Sequence, residues 1–218
     1  MRRLHALIVL GFLAAASTGG TEVRFVDAVV AEVDGAVVTA SDIALARALG
    51  LFGLAPAAGP LSAAEVERYA DSRLLLREAI RIGVEVAEVD RMAAWDAVAA
   101  RAGGETALAA WLAAADVDLD WARRMVDDDL SLRRFVDLRF RALAFVSEAE
   151  LSAALGPGAH SEAEREAARA RLEEETARHR LAEWLSEARA RGVVHRLTDA
   201  SGRVPDPLPG PPGEGIRR

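Results

Sequence analysis

Side chains that could bind a metal ion are sparse in this sequence. His160, His179 and His195 lie far apart along the chain, and His179 has acidic neighbours at helical spacing. Glu175 and Glu183, four residues to either side of it, would share its face of a helix, where the three side chains could approach one ion. Because metal sites on helices also take ligands from other elements, we favour a solvated charged face and expect no metal.

Three consecutive aspartates, Asp127 to Asp129, also resemble a metal cluster. On a helix, successive side chains point about 100° apart, so these three carboxylates cannot converge on one ion. We predict that they form the solvated stripe of a helix.

Catalytic signatures are missing from the sequence. The chain has no Cys, and all 27 of its Lys and Arg residues are Arg, which excludes cysteine catalysis, a Schiff-base lysine and a P-loop lysine. No serine nucleophile motif or glycine-rich phosphate loop is present. We therefore expect no catalytic residue and no cofactor. With a net charge of −7, the chain also lacks the basic surface typical of nucleic-acid-binding proteins.

Both ends of the chain differ from its middle. Arg2 and Arg3 precede an apolar run that ends in small residues, which is typical of a signal peptide, here over residues 1–20 with cleavage after Ala16. The run is shorter than the roughly 20 residues that span a bilayer, and an uncleaved anchor is the alternative. Residues 199–218 are rich in Pro and Gly, which predicts a disordered tail or, alternatively, a Pro-rich ligand for a partner domain.

Residues 25–198 are predicted to form one mainly helical domain. Asp34-Gly35 between valine-rich runs predicts a β-hairpin, and Ser41 is placed to cap the first helix. The strand predicted at 193–197 needs a partner, so we expect it to join the hairpin in a small antiparallel sheet. Capping residues and glycines place the helices at about 41–50, 62–83, 87–101, around 108–112, 119–143, 148–155 and 161–191.

Two of these helices carry specific predictions about burial. The third is predicted to turn Val89, Met92, Ala93 and Val98 toward the core. The fifth is apolar nearly all round in its second half, which favours a place in the core or against a second chain. A homodimer is therefore possible.

Four stretches of the sequence form a distinctive ordered set. They are V-D-A-V-V-A-E-V-D-G-A-V-V-T-A-S-D at 26–42, R-L-L-L-R-E-A-I-R-I-G-V-E-V at 73–86, F-V-S-E-A-E-L at 145–151, and the closing helix and strand at 180–195. In this order they resemble the N-terminal chaperone domain of the SurA family of periplasmic chaperones. The resemblance implies a multi-helix SurA-type fold. In these relatives parvulin-type prolyl isomerase domains precede the closing helix, whereas here residues 156–160 occupy that place. The isomerase module is therefore expected to be missing, and the protein is not expected to be an enzyme.

The resemblance also implies a function. We expect a periplasmic, ATP-independent chaperone that binds unfolded outer-membrane or secreted polypeptides by reversible burial of apolar surface. The candidate peptide contacts, whose alternative is ordinary core packing, are Leu51, Phe52, Leu54, Trp111 and Leu112. A dedicated assembly protein for one exported partner and a divergent prolyl isomerase are the alternative functions.

Overall fold

Seven α-helices and three short strands make up the described part of the chain. The computed structural model describes residues 27–191, the backbone of residues 194–196, and residue 208. The strands are β1 Val29–Val33, β2 Ala36–Thr39 and β3 Val194–Arg196. The helices are α1 Ala40–Ala48, α2 Ala63–Arg81, α3 Glu88–Arg101, α4 Glu105–Ala114, α5 Leu119–Val136, α6 Glu148–Leu155 and α7 Glu162–Arg191.

The sheet joins the two ends of the domain, as the sequence predicts. Asp34 and Gly35 both adopt positive φ, at 50° and 83°, which a two-residue turn of type I′ requires. They connect β1 to the antiparallel β2. β3 pairs antiparallel with the other edge of β1, with Arg196 opposite Ala31, so the strand order is β2-β1-β3. The predicted mainly helical fold with a small antiparallel sheet is confirmed.

Local capping signals account for most helix boundaries. Ser62 and Glu65 form the predicted capping box of α2, in which each side chain binds the other residue's backbone N–H. At α1 the predicted cap is wrong by two residues. Thr39 is the N-cap, because its backbone is still extended and its hydroxyl accepts a hydrogen bond from the N–H of Asp42. Ser41 therefore lies in the first turn.

The apolar second half of α5 is covered by α7 of the same chain. Phe135 contacts Trp184 with ring centroids 6.2 Å apart, and Phe140 contacts the same ring at 6.3 Å. After Val136 the helix continues as a π-helical turn, Asp137–Arg141, instead of the single α-helix predicted to residue 143. Leu132, Phe135 and Phe140 are buried, so the predicted core position is confirmed for them, whereas Leu138 and Leu143 are each 47% exposed. A homodimer through this half of the helix stays a prediction.

The last residues of the chain make one described contact with this core. Leu208 is half-buried and packs against the main hydrophobic cluster. The predicted tail at 199–218 therefore contributes an apolar anchor at this position, which a wholly disordered tail would not. Its other residues, and the predicted signal peptide with its cleavage site at Ala16, lie outside the described residues.

Asp129 is a buried structural carboxylate, which corrects the prediction of a solvated aspartate stripe. It accepts a hydrogen bond of 2.7 Å from the backbone N–H of Phe52 and a second from Arg133. Phe52 has a φ of 54°, a conformation that a bulky residue adopts only when its surroundings impose it. The carboxylate thus holds the loop between α1 and α2 against α5.

Replacing Asp129 by Ala would leave the Phe52 N–H without its acceptor inside the core. An unsatisfied buried group of this kind costs about 1–3 kcal/mol, so we expect the free energy of unfolding to fall by at least that amount in a urea titration followed by circular dichroism. Asp129→Asn keeps one carbonyl oxygen and should lose roughly half as much. Equal stability of Asp129→Ala and the wild type would show that this contact does not hold the loop.

Candidate functional site

The peptide contacts predicted from the sequence belong to the core, with one partial exception. Leu51, Phe52, Leu54 and Leu112 are each at most 5% exposed, and Trp111 is half-buried and packed against the same cluster. None of the first four offers side-chain surface to another chain in this structure, which favours the alternative interpretation of ordinary core packing for them.

The physical reason is the fold of the loop after α1. The ring of Phe52 meets the ring of Tyr69 edge-on, with centroids 5.4 Å apart, while its N–H binds Asp129. These contacts turn the loop inward, and its leucines follow into the core. Local sequence patterns do not predict these contacts, because they do not show where Tyr69 and Asp129 lie relative to the loop in the fold.

For helix α3 the prediction is wrong in the opposite direction, because residues predicted to be buried are exposed. Val89 and Met92 are 64% and 55% exposed, and Ala93 is exposed as well, although all three are predicted to face the core. Val98 is buried as predicted, together with Ala99. The helix therefore packs by its C-terminal half, and the apolar side chains of its N-terminal half remain on the surface.

A groove of about 400 Å³ lies between α3 and α5. Its α3 wall consists of residues spaced i, i+3, i+4, i+7 and i+8, which place them on one face of the helix. Its α5 wall has the spacing i, i+3, i+4. The lining residues are Glu88, Arg91, Met92, Trp95 and Asp96 from α3, and Arg123, Val126 and Asp127 from α5.

Trp95 is the main aromatic side chain of this groove. It is half-buried, and the guanidinium of Arg123 lies over its ring, 5.3 Å from the centroid, within the range of a cation–π contact. The indole N–H is buried and has no hydrogen-bond acceptor among the described residues. A buried donor without an acceptor costs free energy.

The charges along the groove are only partly paired. Arg91 lies 3.8 Å from Glu88, a loose ion pair one helical turn apart. Asp96 and Asp127 form no ion pair with any residue that the structure describes. The groove therefore combines an apolar patch with three carboxylates and two arginines, and two of the carboxylates have no direct ion pair with a described residue.

A second cavity, of about 420 Å³, lies between α5, α2 and the hairpin. Arg73 approaches Asp128 there to 3.6 Å. Burial raises the pKa of Asp128, and the charge of Arg73 opposes that rise. Burial likewise raises the pKa of Tyr69. Because its charged groups face one another, this cavity suits an apolar chain segment less well than the α3–α5 groove.

The histidines show no metal centre in the described part of the chain. His179 lies 3.2 Å from Glu183 on the exposed face of α7, and His160 contacts the carbonyl of Gly156. For His195 only the backbone is described. Within residues 27–191 no three His, Cys, Asp or Glu side chains come together as a metal site would require.

Comparisons with known proteins add no assignment. No protein-family model matches this chain, and no curated protein matches it. Among the described helices, none combines the length and the apolar character needed to span a membrane. The functional argument therefore depends on the groove itself.

The corrected orientation of α3 can be checked by oxidation. Met92 is 55% exposed and Met125 is 5% exposed, and sulfoxide formation depends on access to the sulfur. We expect dilute hydrogen peroxide to oxidise Met92 at least tenfold faster than Met125, measured by peptide mass spectrometry. In urea the two rates should become similar. Equal rates in the folded protein would mean that Met92 is buried.

Proposed function

We propose that this chain is an exported, ATP-independent chaperone that holds apolar segments of unfolded polypeptides in the α3–α5 groove. The observation that carries the proposal is the groove lining, in which the exposed side chain of Met92 lies on the same face of α3 as the half-buried ring of Trp95. An extended polypeptide can cover this apolar surface, since its side chains are apolar at intervals.

The side chains of the groove suit variable ligands. Met92 is unbranched and polarisable, so it can adjust to side chains of different shape. The ring of Trp95 offers a flat apolar face to the groove. Neither contact specifies a particular side chain, which is what a protein that binds many unfolded sequences requires.

The strength of such binding is expected to be modest. Burying an apolar side chain contributes about 1.5–3 kcal/mol, and one hydrogen bond adds about 0.5–1.5 kcal/mol. After the cost of ordering a flexible segment, these contributions correspond to a Kd in the range of about 10 μM to 1 mM. Clients bound this weakly leave by dissociation alone, so no nucleotide is needed for release.

The order of the elements supports a SurA-type fold and the export that this resemblance implies. The hairpin of β1 and β2 opens the domain, and the strand after α7 returns to pair with β1. The charged and apolar signals of residues 1–20 support secretion to the periplasm. Unfolded outer-membrane or secreted polypeptides are the clients available there.

A serine double variant tests the groove as the client site. We expect the predicted mature chain, beginning at Ser17, to suppress light scattering when a urea-unfolded β-barrel protein is diluted into buffer. Val89→Ser with Met92→Ser removes most of the exposed apolar surface of α3. The Kd for a fluorescent apolar peptide should rise by roughly tenfold or more, because about 1–2 kcal/mol is lost per side chain.

The matched control uses exposed apolar residues elsewhere. Ile80 in the last turn of α2 and Ile82 at its C-cap are 69% and 49% exposed, close to the values for Val89 and Met92. Ile80→Ser with Ile82→Ser should therefore keep both scattering suppression and peptide affinity. If both variants lose activity equally, nonspecific hydrophobic binding by the whole surface explains the effect. If neither the wild type nor any variant suppresses aggregation, the chaperone proposal is wrong.

Crosslinking in cells separates this proposal from a dedicated assembly protein. A photoreactive residue at position 92 should capture many unfolded exported chains, whereas a single stoichiometric partner would favour the alternative. An equivalent probe at position 80 serves as the control for position.

We also expect no prolyl isomerase activity. The connection between α6 and α7 is a short loop, which leaves no room for the isomerase module of the relatives. A proline-limited refolding reaction should therefore proceed at the same rate with and without the chain at low molar ratio. Acceleration under these conditions would restore the enzyme alternative.

A further inference from the structure

The geometry points to a ligand preference of the same groove: polypeptide segments in which an aliphatic anchor is flanked by Arg or Lys, over segments flanked by Asp or Glu. This inference rests on the proposed function, since it specifies the class of segment that the α3–α5 groove binds. It depends on the charges that line the groove and on which of them are already paired.

The two cations of the groove are engaged within the chain. Arg91 pairs with Glu88 at 3.8 Å, and Arg123 lies over the ring of Trp95 at 5.3 Å. Glu88 offsets the charge of Arg91, and the lining as a whole has three carboxylates and two guanidinium groups, a net charge of −1. These two arginines therefore do not give the groove a preference for acidic ligands.

The two remaining carboxylates stand on opposite walls. Asp96 belongs to α3 and Asp127 to α5, and both line the same groove as Met92. Neither has an ion-pair partner within the part of the chain that the structure describes. A segment lying in the groove with its aliphatic side chain on Met92 therefore has a carboxylate available on either helix.

Arg and Lys fit this arrangement better than other polar residues. Their long apolar stems can lie along the groove while the charged group reaches a carboxylate at its rim. An Asp or Glu in the same place would face an uncompensated like charge. The discrimination is electrostatic, so it should weaken as added salt screens the exposed charges.

The expected effect is moderate because both carboxylates are partly exposed. One solvent-exposed ion pair changes an affinity by about 1.5- to 5-fold. Two such pairs, together with the repulsion of an acidic segment, predict that an Arg-flanked peptide binds about tenfold more tightly than a Glu-flanked one at low salt.

Three peptides with one aliphatic core, flanked by Arg, Ser or Glu, test the inference by fluorescence anisotropy. The full chain should bind them in the order Arg, Ser, Glu at low salt, and the ratio between Arg and Glu should shrink at high salt. Asp96→Asn with Asp127→Asn should bring that ratio close to one.

The net charge of −7 could attract cationic peptides anywhere on the surface, so a matched control is needed. Asp90 on α3 and Asp120 on α5 are exposed and do not line the groove. Asp90→Asn with Asp120→Asn removes the same charge from the same two helices and should keep the tenfold ratio. If both double variants lower the ratio equally, the preference belongs to the whole molecule and the inference is wrong.

The peptide measurements give different results if the charge preference is wrong and if the proposed function is wrong. Equal binding of the three peptides, abolished by Val89→Ser with Met92→Ser, overturns the charge preference and leaves the chaperone groove intact. Absence of binding for all three peptides overturns both. Tighter binding of the Glu-flanked peptide would also overturn the preference, and would indicate that Arg91 or Arg123 leaves its intrachain partner to bind the ligand.

Discussion

The hydrogen bond from the N–H of Phe52 to the buried carboxylate of Asp129 determines how the rest of the surface is used. It fixes the loop between α1 and α2 against α5, so the apolar residues of that loop are buried in the core. The same contact orients α5, because a buried carboxylate must keep its donors. With Asp129 turned inward, Arg123 and Asp127 face the other side of the helix, where they line the groove with α3. One polar contact thus places apolar residues inside and charged residues at the candidate site.

Helix α3 completes the groove because it is anchored at one end. Val98 and Ala99 are buried against the body of the domain, whereas Val89 and Met92 lie a few turns away on the surface. A helix fully packed along its length would have no apolar side chains left to offer. The partial packing stabilises α3 through its C-terminal half and leaves its N-terminal half available for a ligand. The cost is a patch of exposed apolar surface, which the protein must keep from self-association.

Local signals were sufficient to predict the elements, and tertiary contacts decided what they bury. The Asp34-Gly35 turn and the Ser62 capping box each depend on a few neighbouring residues, so the sequence alone reveals them. The faces of the helices were harder, because Ala is abundant throughout and is compatible with either side. Asp129 could have been recognised: it lies four residues after Met125 and three before Leu132, both buried, and therefore shares their face. No comparable pattern in the sequence predicts that Met92 is exposed, because its exposure depends on how far along α3 the packing against α5 extends.

The mixture of apolar and charged residues in the groove reconciles binding with solubility. Large continuous apolar patches on a protein surface promote association, and Val89 with Met92 would form the start of one. Glu88, Arg91 and Asp96 interrupt the patch within one or two helical turns, so a rigid second copy would have to match both signs of charge to dock at this face. An unfolded chain can place its polar residues beside those charges and its apolar residues on Met92, which a second folded copy cannot rearrange to do. The charged rim therefore keeps the continuous apolar surface of the groove small, and under the proposed function a flexible segment can adapt to it.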